Sequence, residues 1–291
     1  MRNTLLYFTV IIFAISFTSC RDCEEEVEDS VAALWKNGIK QELPYGDLSD
    51  YLDIRTYSIF VSGSDVYVVG SERSAGKGIL WKNGIAQVLP FIRSSSLSVF
   101  VSENDVYVVG NNMVWKNGEV VYTLNDGLYS ISVYEGDVYV AGDKHVWKNG
   151  EVIQTLGSEA NSIVVYNGDV YVATEYTVYK NGEVIQSANK GEHFYSLFIL
   201  DGDVYIGGNG KVWKNGNVEY SINGSVSSVF VSGNDVYVTT EFYVFKNGEV
   251  IQSASVSEYS PLIIDSFSSV FVSGNDVYVS GYYFKTVRYC D

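Results

Sequence analysis

From Val31 onward the chain alternates short apolar runs with pairs of small polar or glycine residues, and one module recurs along its length. Residues 98–124 are representative. Ser98-Val99-Phe100-Val101 carries the β-branched and aromatic side chains that favour a strand. Glu103-Asn104 predicts a two-residue turn, and Gly63-Ser64, Glu135-Gly136, Asn167-Gly168 and Gly233-Asn234 stand at equivalent places. Such pairs tolerate the positive φ that tight hairpins demand. Residues 105–109 predict a second strand, Asn111-Asn112 a turn, and residues 113–116 a third strand. Asn117-Gly118, a strong short hairpin signal, leads into a fourth strand over residues 119–124. No helical periodicity of useful length interrupts this pattern.

Two markers count the modules. Asp-Val-Tyr begins at Asp65, Asp105, Asp137, Asp169, Asp203, Asp235 and Asp276, with spacings of 40, 32, 32, 34, 32 and 41 residues. An aromatic-Lys-Asn-Gly unit begins at Trp35, Trp81, Trp115, Trp147, Tyr179, Trp213 and Phe245. Both markers occur seven times. A four-stranded antiparallel unit cannot bury both of its faces alone, so repeats of this period must pack on one another. Radial stacking explains the nearly continuous apolar strands and predicts an all-β, seven-bladed β-propeller over residues 31–291. A β-solenoid suits this less well, because its coils are shorter than 32 residues, and two stacked sandwiches would not need seven equal units.

The order of signals (strand, turn with Asp, strand, strand ending in an aromatic, outer strand) resembles WD40 and kelch-type architecture. The Gly-His and Trp-Asp dipeptides of WD40 units are missing, so the resemblance is to architecture and assigns no family. Residues 32–43 carry only a third and a fourth strand, and residues 268–281 only a first and a second. Together they complete one blade, which would close the ring. Residues 283–287 form either an extra strand competing with residues 33–36 or a tail.

The N-terminus predicts export. Arg2 precedes an apolar run over residues 5–17, too short for a membrane-spanning helix of about 20 residues and matching a signal peptide over residues 1–19. Phe17-Thr18-Ser19-Cys20 resembles a bacterial lipobox, although Phe17 replaces the usual Leu. The resemblance makes Cys20 the lipid-bearing residue, leaving the protein on the membrane through that anchor only. The acidic run that follows predicts a solvated linker over residues 20–30, and it resembles the export tag of Bacteroidetes-type surface lipoproteins. This implies an outer-membrane, cell-surface location. Cys23 and Cys290 would lie near the two ends of the fold, where they either pair as a disulfide or remain two thiols.

Charge and chemistry narrow the function. A net charge of −16 repels phosphate backbones, which excludes nucleic acid as a partner. His145 and His193 are the two histidines, too few for a three-histidine metal centre. No nucleophile elbow, phosphate loop or Cys-x-x-Cys pair occurs, so neither cofactor nor metal is expected. In each repeat the Asp of Asp-Val-Tyr is expected to bond nearby backbone amides, and the Lys of Lys-Asn-Gly to be solvated. The first-to-second and third-to-fourth turns share one flat face. The second-to-third turns and inter-blade connections share the other face, and their variation makes it the expected binding face. Extra length falls at residues 44–57, 71–78, 90–97 and 253–267, around the seam. These segments bring Tyr45, Tyr51, Tyr57, Arg73, Phe91, Arg93 and Tyr259 beside Asp47, Asp50, Asp53, Glu258 and Asp265, and His193, Phe194 and Tyr195 lie across the ring. An aromatic shelf of this kind stacks on sugars or anchors a protein. The expectation is a monomeric, non-catalytic module binding a glycan or an envelope protein. The alternatives are a glycan hydrolase or lyase using loop carboxylates, and a scaffold recognised by an exposed apolar patch on its side or flat face.

Overall fold

The computed structural model describes residues 25–45, 53–74, 76–92, 97–255 and 265–289. Cys20, Cys23 and Cys290, and with them the expected anchor and disulfide, lie outside the described residues. Every element among the described residues is a strand. In chain order these are β1 (Glu25–Lys36), β2 (Ile39–Glu42), β3 (Ile54–Ser62), β4 (Asp65–Glu72), β5 (Lys77–Lys82), β6 (Ile85–Ile92), β7 (Leu97–Ser102), β8 (Asp105–Gly110) and β9 (Met113–Lys116). They continue as β10 (Glu119–Thr123), β11 (Leu128–Tyr134), β12 (Asp137–Gly142), β13 (His145–Lys148), β14 (Glu151–Thr155), β15 (Ala160–Tyr166), β16 (Asp169–Thr174), β17 (Thr177–Lys180) and β18 (Glu183–Ser187). The last are β19 (Phe194–Leu200), β20 (Asp203–Lys214), β21 (Asn217–Ser232), β22 (Asp235–Thr240), β23 (Tyr243–Lys246), β24 (Glu249–Ser253), β25 (Asp265–Ser273) and β26 (Asp276–Tyr289).

The architecture is an all-β propeller of four-stranded antiparallel meanders. β3–β6, β7–β10, β11–β14 and β15–β18 are four of them, and the two chain ends build another in the order β2-β1-β26-β25. The remaining strands, β19–β24, form a single six-stranded sheet. Six sheets therefore stand where the repeats predict seven separate blades. The reason is local: Asn209 pairs with Ser225 beyond the Lys211–Ser221 rung, so Asn209-Gly210 is absorbed as an irregularity of β20 and does not break it. Residues 221–226 likewise remain strand instead of forming a loop. Along the inner edge β3, β7, β11, β15, β19, β21 and β25 touch in that order, and β25 touches β3.

The chain ends depart from expectation in a second way. Glu25–Ser30, expected as linker, belongs to β1 and pairs with β26, with Ser30 opposite Phe284 and Asp29 opposite Lys285. Residues 283–289 alternate aromatic, β-branched and basic side chains of high strand propensity, and so offer the acidic segment a partner. Residues 283–287 do not compete with residues 33–36, since β26 runs on past Gly281 and meets the earlier half of β1.

Burial follows the repeat. Hydrophobic clusters lie between successive units; one joins Tyr67, Val69 and Leu80 to Val99, Val108 and Trp115. The third-strand aromatics serve these clusters: Trp81 is fully buried and donates from Nε1 to the Pro44 carbonyl at 2.9 Å. The inner strands leave an unpaired edge at the axis, and serines of the preceding unit satisfy part of it. Ser130 and Ser132 accept from the Ile163 and Val165 amides at 3.1 Å, and Ser196 accepts from Val229 at 3.0 Å. Phe100, Phe60, Phe271, Phe230 and Phe198 then form an arc of tilted rings with centroids 4.5–5.0 Å apart.

The flat face is bonded to itself. Asp137 receives Lys148 Nζ at 2.7 Å on one oxygen and Asn149 Nδ2 at 2.7 Å on the other. Asn149 Oδ1 in turn accepts from the Val138 amide at 2.9 Å. The Asp therefore bonds side chains, and Asn is the residue that caps the backbone, contrary to the sequence expectation. Nor is the lysine freely solvated: Lys148 Nζ lies 5.2 Å from the Tyr139 ring centroid. The pattern recurs at each Asp-Val-Tyr unit, and at Asp276 the lysine and asparagine are Lys36 and Asn37 from the other chain end. Asn149 and Gly150 both have positive φ, as the tight third-to-fourth turn demands.

Candidate functional site

The opposite face begins with a shared irregularity. Six inner strands carry a β-bulge one residue before a serine that recurs from repeat to repeat, at Tyr57, Tyr129, Asn161, Tyr195, Ser227 and Ser268. Only β7, among the described inner strands, pairs without one. A bulge leaves one residue unpaired and re-aims its side chain, a device common beside binding sites. Because each bulge opposes the end of a second strand, these residues gather on the face of the second-to-third turns.

The bulged side chains bond to that face in different ways. Tyr57 shares a 3.1 Å bond with Ser71, Ser227 donates to the Thr239 carbonyl at 3.2 Å, and Asn161 donates to the Phe194 carbonyl at 2.6 Å. The Tyr129 hydroxyl donates to Asp143, whose other oxygen accepts from the Gly127 amide at 3.1 Å. Burial, and then the Asp143 carboxylate, push the Tyr129 hydroxyl well above its ordinary value. It remains a neutral donor across the physiological range.

Tyr195 lies in the most aromatic part of the face. The His193 ring stacks on Tyr195 with centroids 6.3 Å apart, and Tyr176 tilts against His193 at 5.2 Å. His193 Nδ1 is 2.7 Å from Glu175 Oε1. The same carboxylate raises the Tyr176 hydroxyl by hydrogen bonding, with desolvation adding to it. Glu175 thus orients both rings. Tyr176 is 47% exposed, which leaves its face open to a ligand. Nearby, Glu192 accepts from Lys211 Nζ at 2.6 Å, an ion pair that holds the carboxyl below its ordinary range. Gly208 is fixed by this geometry, since a side chain there would overlap the His193 carbonyl oxygen.

The structure redistributes the residues expected at the site. Phe194 is fully buried against Trp213, centroids 5.3 Å apart, and is core. Tyr45 is half-buried and packs on the cluster of Ile54, Ile79 and Trp81. Arg73 is tied to Asp53, through its amide at 2.8 Å and its guanidinium at 3.4 Å. Asp265 is buried and accepts from Lys40 at 3.0 Å. The segments around Tyr57 and Arg73 are largely extensions of β3 and β4, and Phe91 lies in β6 with its side chain outside the described residues. Asp47, Asp50, Tyr51, Arg93, Glu258 and Tyr259 lie outside the described residues. Tyr129, Tyr176 and Glu175 were not expected. Their signal was the residue one before each inner-strand serine and the pair in each second-to-third turn. Among the described residues, no group of three His, Cys, Asp or Glu gathers to hold a metal.

No protein-family model matches the chain, and no curated protein matches it. Solved structures do. The WD40 β-propeller domain of Doa1 aligns with TM-score 0.59 and 18% identity, over 79% of this chain and 93% of that one. The extracellular domain of the putative hybrid two-component system BT4673 from B. thetaiotaomicron aligns with TM-score 0.58 and 13% identity, over 80% of this chain and 38% of that one. The Neurospora crassa Pan2 WD40 domain aligns with TM-score 0.53 and 12% identity, over 78% and 88%. At such identities these likenesses show the fold alone.

Proposed function

We propose that the protein is a non-catalytic binding module that recognises a glycan or a protein of the cell envelope with its bulged face. The observation that carries this is the gathering of Tyr129, Tyr195, Tyr176 and His193 on that face, with Asp143 and Glu175 holding them in place. Aromatic rings beside fixed acceptors suit sugar stacking and protein anchoring alike. Binding to glycan arrays and to envelope extracts tests it. A Tyr129→Ala, Tyr176→Ala, Tyr195→Ala triple variant is expected to lose the signal, and a Lys116→Ala, Lys148→Ala flat-face variant to keep it. Retention by the triple variant would refute the assignment.

The same reading takes the six-stranded sheet as two blades, giving a seven-bladed ring closed by the sheet of the two chain ends. Its support is the division of β21, which pairs with β20 up to Ser225 and with β22 from Val226. It also takes the chain as an exported monomer anchored through Cys20 to the outer membrane. Labelling with a fatty-acid analogue should vanish in Cys20→Ala, and persistent labelling would remove the anchor from the account.

A second reading, a scaffold, is favoured by the outer strands. Val120, Val121, Val152, Ile153, Val184 and Ile185 are each 40–57% exposed on successive outer edges. Patches of this kind mark interaction surfaces. Replacing Val152 and Val184 with threonine should release a partner held by the rim and leave one held by the bulged face.

A further inference from the structure

In every repeat the chain holds a lysine ammonium between a carboxylate and a tyrosine ring, and it always supplies the lysine itself. A cleft of about 380 Å³ on the opposite face has the same wall chemistry and no such cation. It lies between residues 223–225 and residues 240–243. Its lining includes Glu241, which is exposed, and the half-buried aromatics Phe242 and Tyr243, and the other lining residues are neutral. No Lys or Arg lines it.

The cleft is built into the fold. Residues 223–225 stay in β21, drawn toward β20 by the Asn209–Ser225 rung. The carbonyls of Glu241 and Phe242 are fixed by the Phe267 and Ala254 amides, each at 2.8 Å. The Thr240 hydroxyl is occupied by the Tyr243 backbone, accepting from its amide at 3.2 Å. Gly224 has φ of 94°, and a side chain there would press on Thr240 at 3.3 Å. The walls are therefore preformed.

Chemistry and size select the occupant. A volume near the lower end of small-ligand sites, roughly 300–1,000 Å³, accommodates one extended side chain. A cation beside aromatic faces and a carboxylate gains both the ring quadrupole and the charge. The net charge of −16 draws cations toward this surface and repels anions. We propose that the cleft receives a lysine or arginine side chain of a protein partner docked on the bulged face. The proposal rests on the binding reading above and narrows its ligand to a protein.

Amide chemical shifts of the intact folded domain, titrated with small probes, test it. Acetyl-arginine-amide and acetyl-lysine-amide should shift the amides of Ser225, Glu241 and Tyr243. Glu241→Gln and Phe242→Ala should each weaken this by roughly tenfold, and added salt should weaken it further. Acetyl-citrulline-amide, isosteric with arginine but uncharged, and cellobiose should leave those amides unmoved. Equal shifts with cellobiose, or an arginine affinity unchanged by Glu241→Gln, would overturn the proposal. Either result leaves the Tyr129, Tyr176 and Tyr195 assignment standing, because the triple variant tests that separately.

Discussion

The two faces of the propeller are made by the same strands, yet they dispose of their polar groups in opposite ways. On the flat face each unit closes its own circuit: Lys148 to Asp137, Asn149 to Asp137, and Asn149 to the Val138 amide. The circuit recurs from unit to unit, while the first-to-second turn pairs differ, as Gly63-Ser64, Glu103-Asn104 and Glu135-Gly136 do. On the bulged face one residue is released from the ladder in every described inner strand but β7, and its identity changes from Tyr57 to Asn161 to Ser227. Repetition serves the blade, and departure from repetition is where a ligand can be distinguished.

The largest effect is expected at Phe194, which stands beside His193 and Tyr195 in sequence yet belongs to the core. Phe194→Ala should cost about 3–5 kcal/mol in urea unfolding, because the ring is core and its removal leaves a cavity beside Trp213. Next comes Gly208→Ala, where overlap with the His193 carbonyl should cost about 1–3 kcal/mol and displace the His193 resonances. On the flat face, Asn149→Ala should cost about 1–2 kcal/mol, through the lost amide cap and a positive φ that alanine resists. Tyr176→Ala on the bulged face should cost under about 0.5 kcal/mol while reducing binding, since the side chain is 47% exposed.

The smallest effect is a pH signature of the flat face. Lys148, and then Asn149, hold the Asp137 carboxyl below its ordinary range. Its contribution to stability is therefore present above about pH 4, the unfolded value, and is lost as the pH falls through the lower folded value. Asp137 and then Tyr139 raise the Lys148 ammonium, so that contribution is present below about pH 10.4 and is lost as the pH rises through the raised value. Asp137→Asn should accordingly differ from the wild type most at neutral pH, and converge with it at both extremes of a pH–stability profile.

Much of the fold was legible because its determinants are local. Asn-Gly turns, Asp-Val-Tyr strands and third-strand aromatics each act within a few residues, and the structure uses them nearly as the pattern implies. The six-stranded sheet was not legible, since the Asn209–Ser225 pairing is a contact across two strands that no short motif encodes. Nor was Glu25–Ser30, whose acidity predicts solvation until residues 283–289 arrive as a partner. Loop length pointed to the seam, where Tyr45 and Arg73 turn out to pack and pair. The bulges that aim Tyr129 and Tyr195 arise from register, and register is set by both strands together.

The central claim, that recognition belongs to the bulged face, can be tested by photocrosslinking in cells that make the protein. The crosslinking residue p-benzoylphenylalanine would be placed at Tyr176 on one face and at Asn104 in a flat-face turn. The account predicts a specific crosslinked species from Tyr176 and none from Asn104. A species from Asn104, with Tyr176 silent, would contradict it.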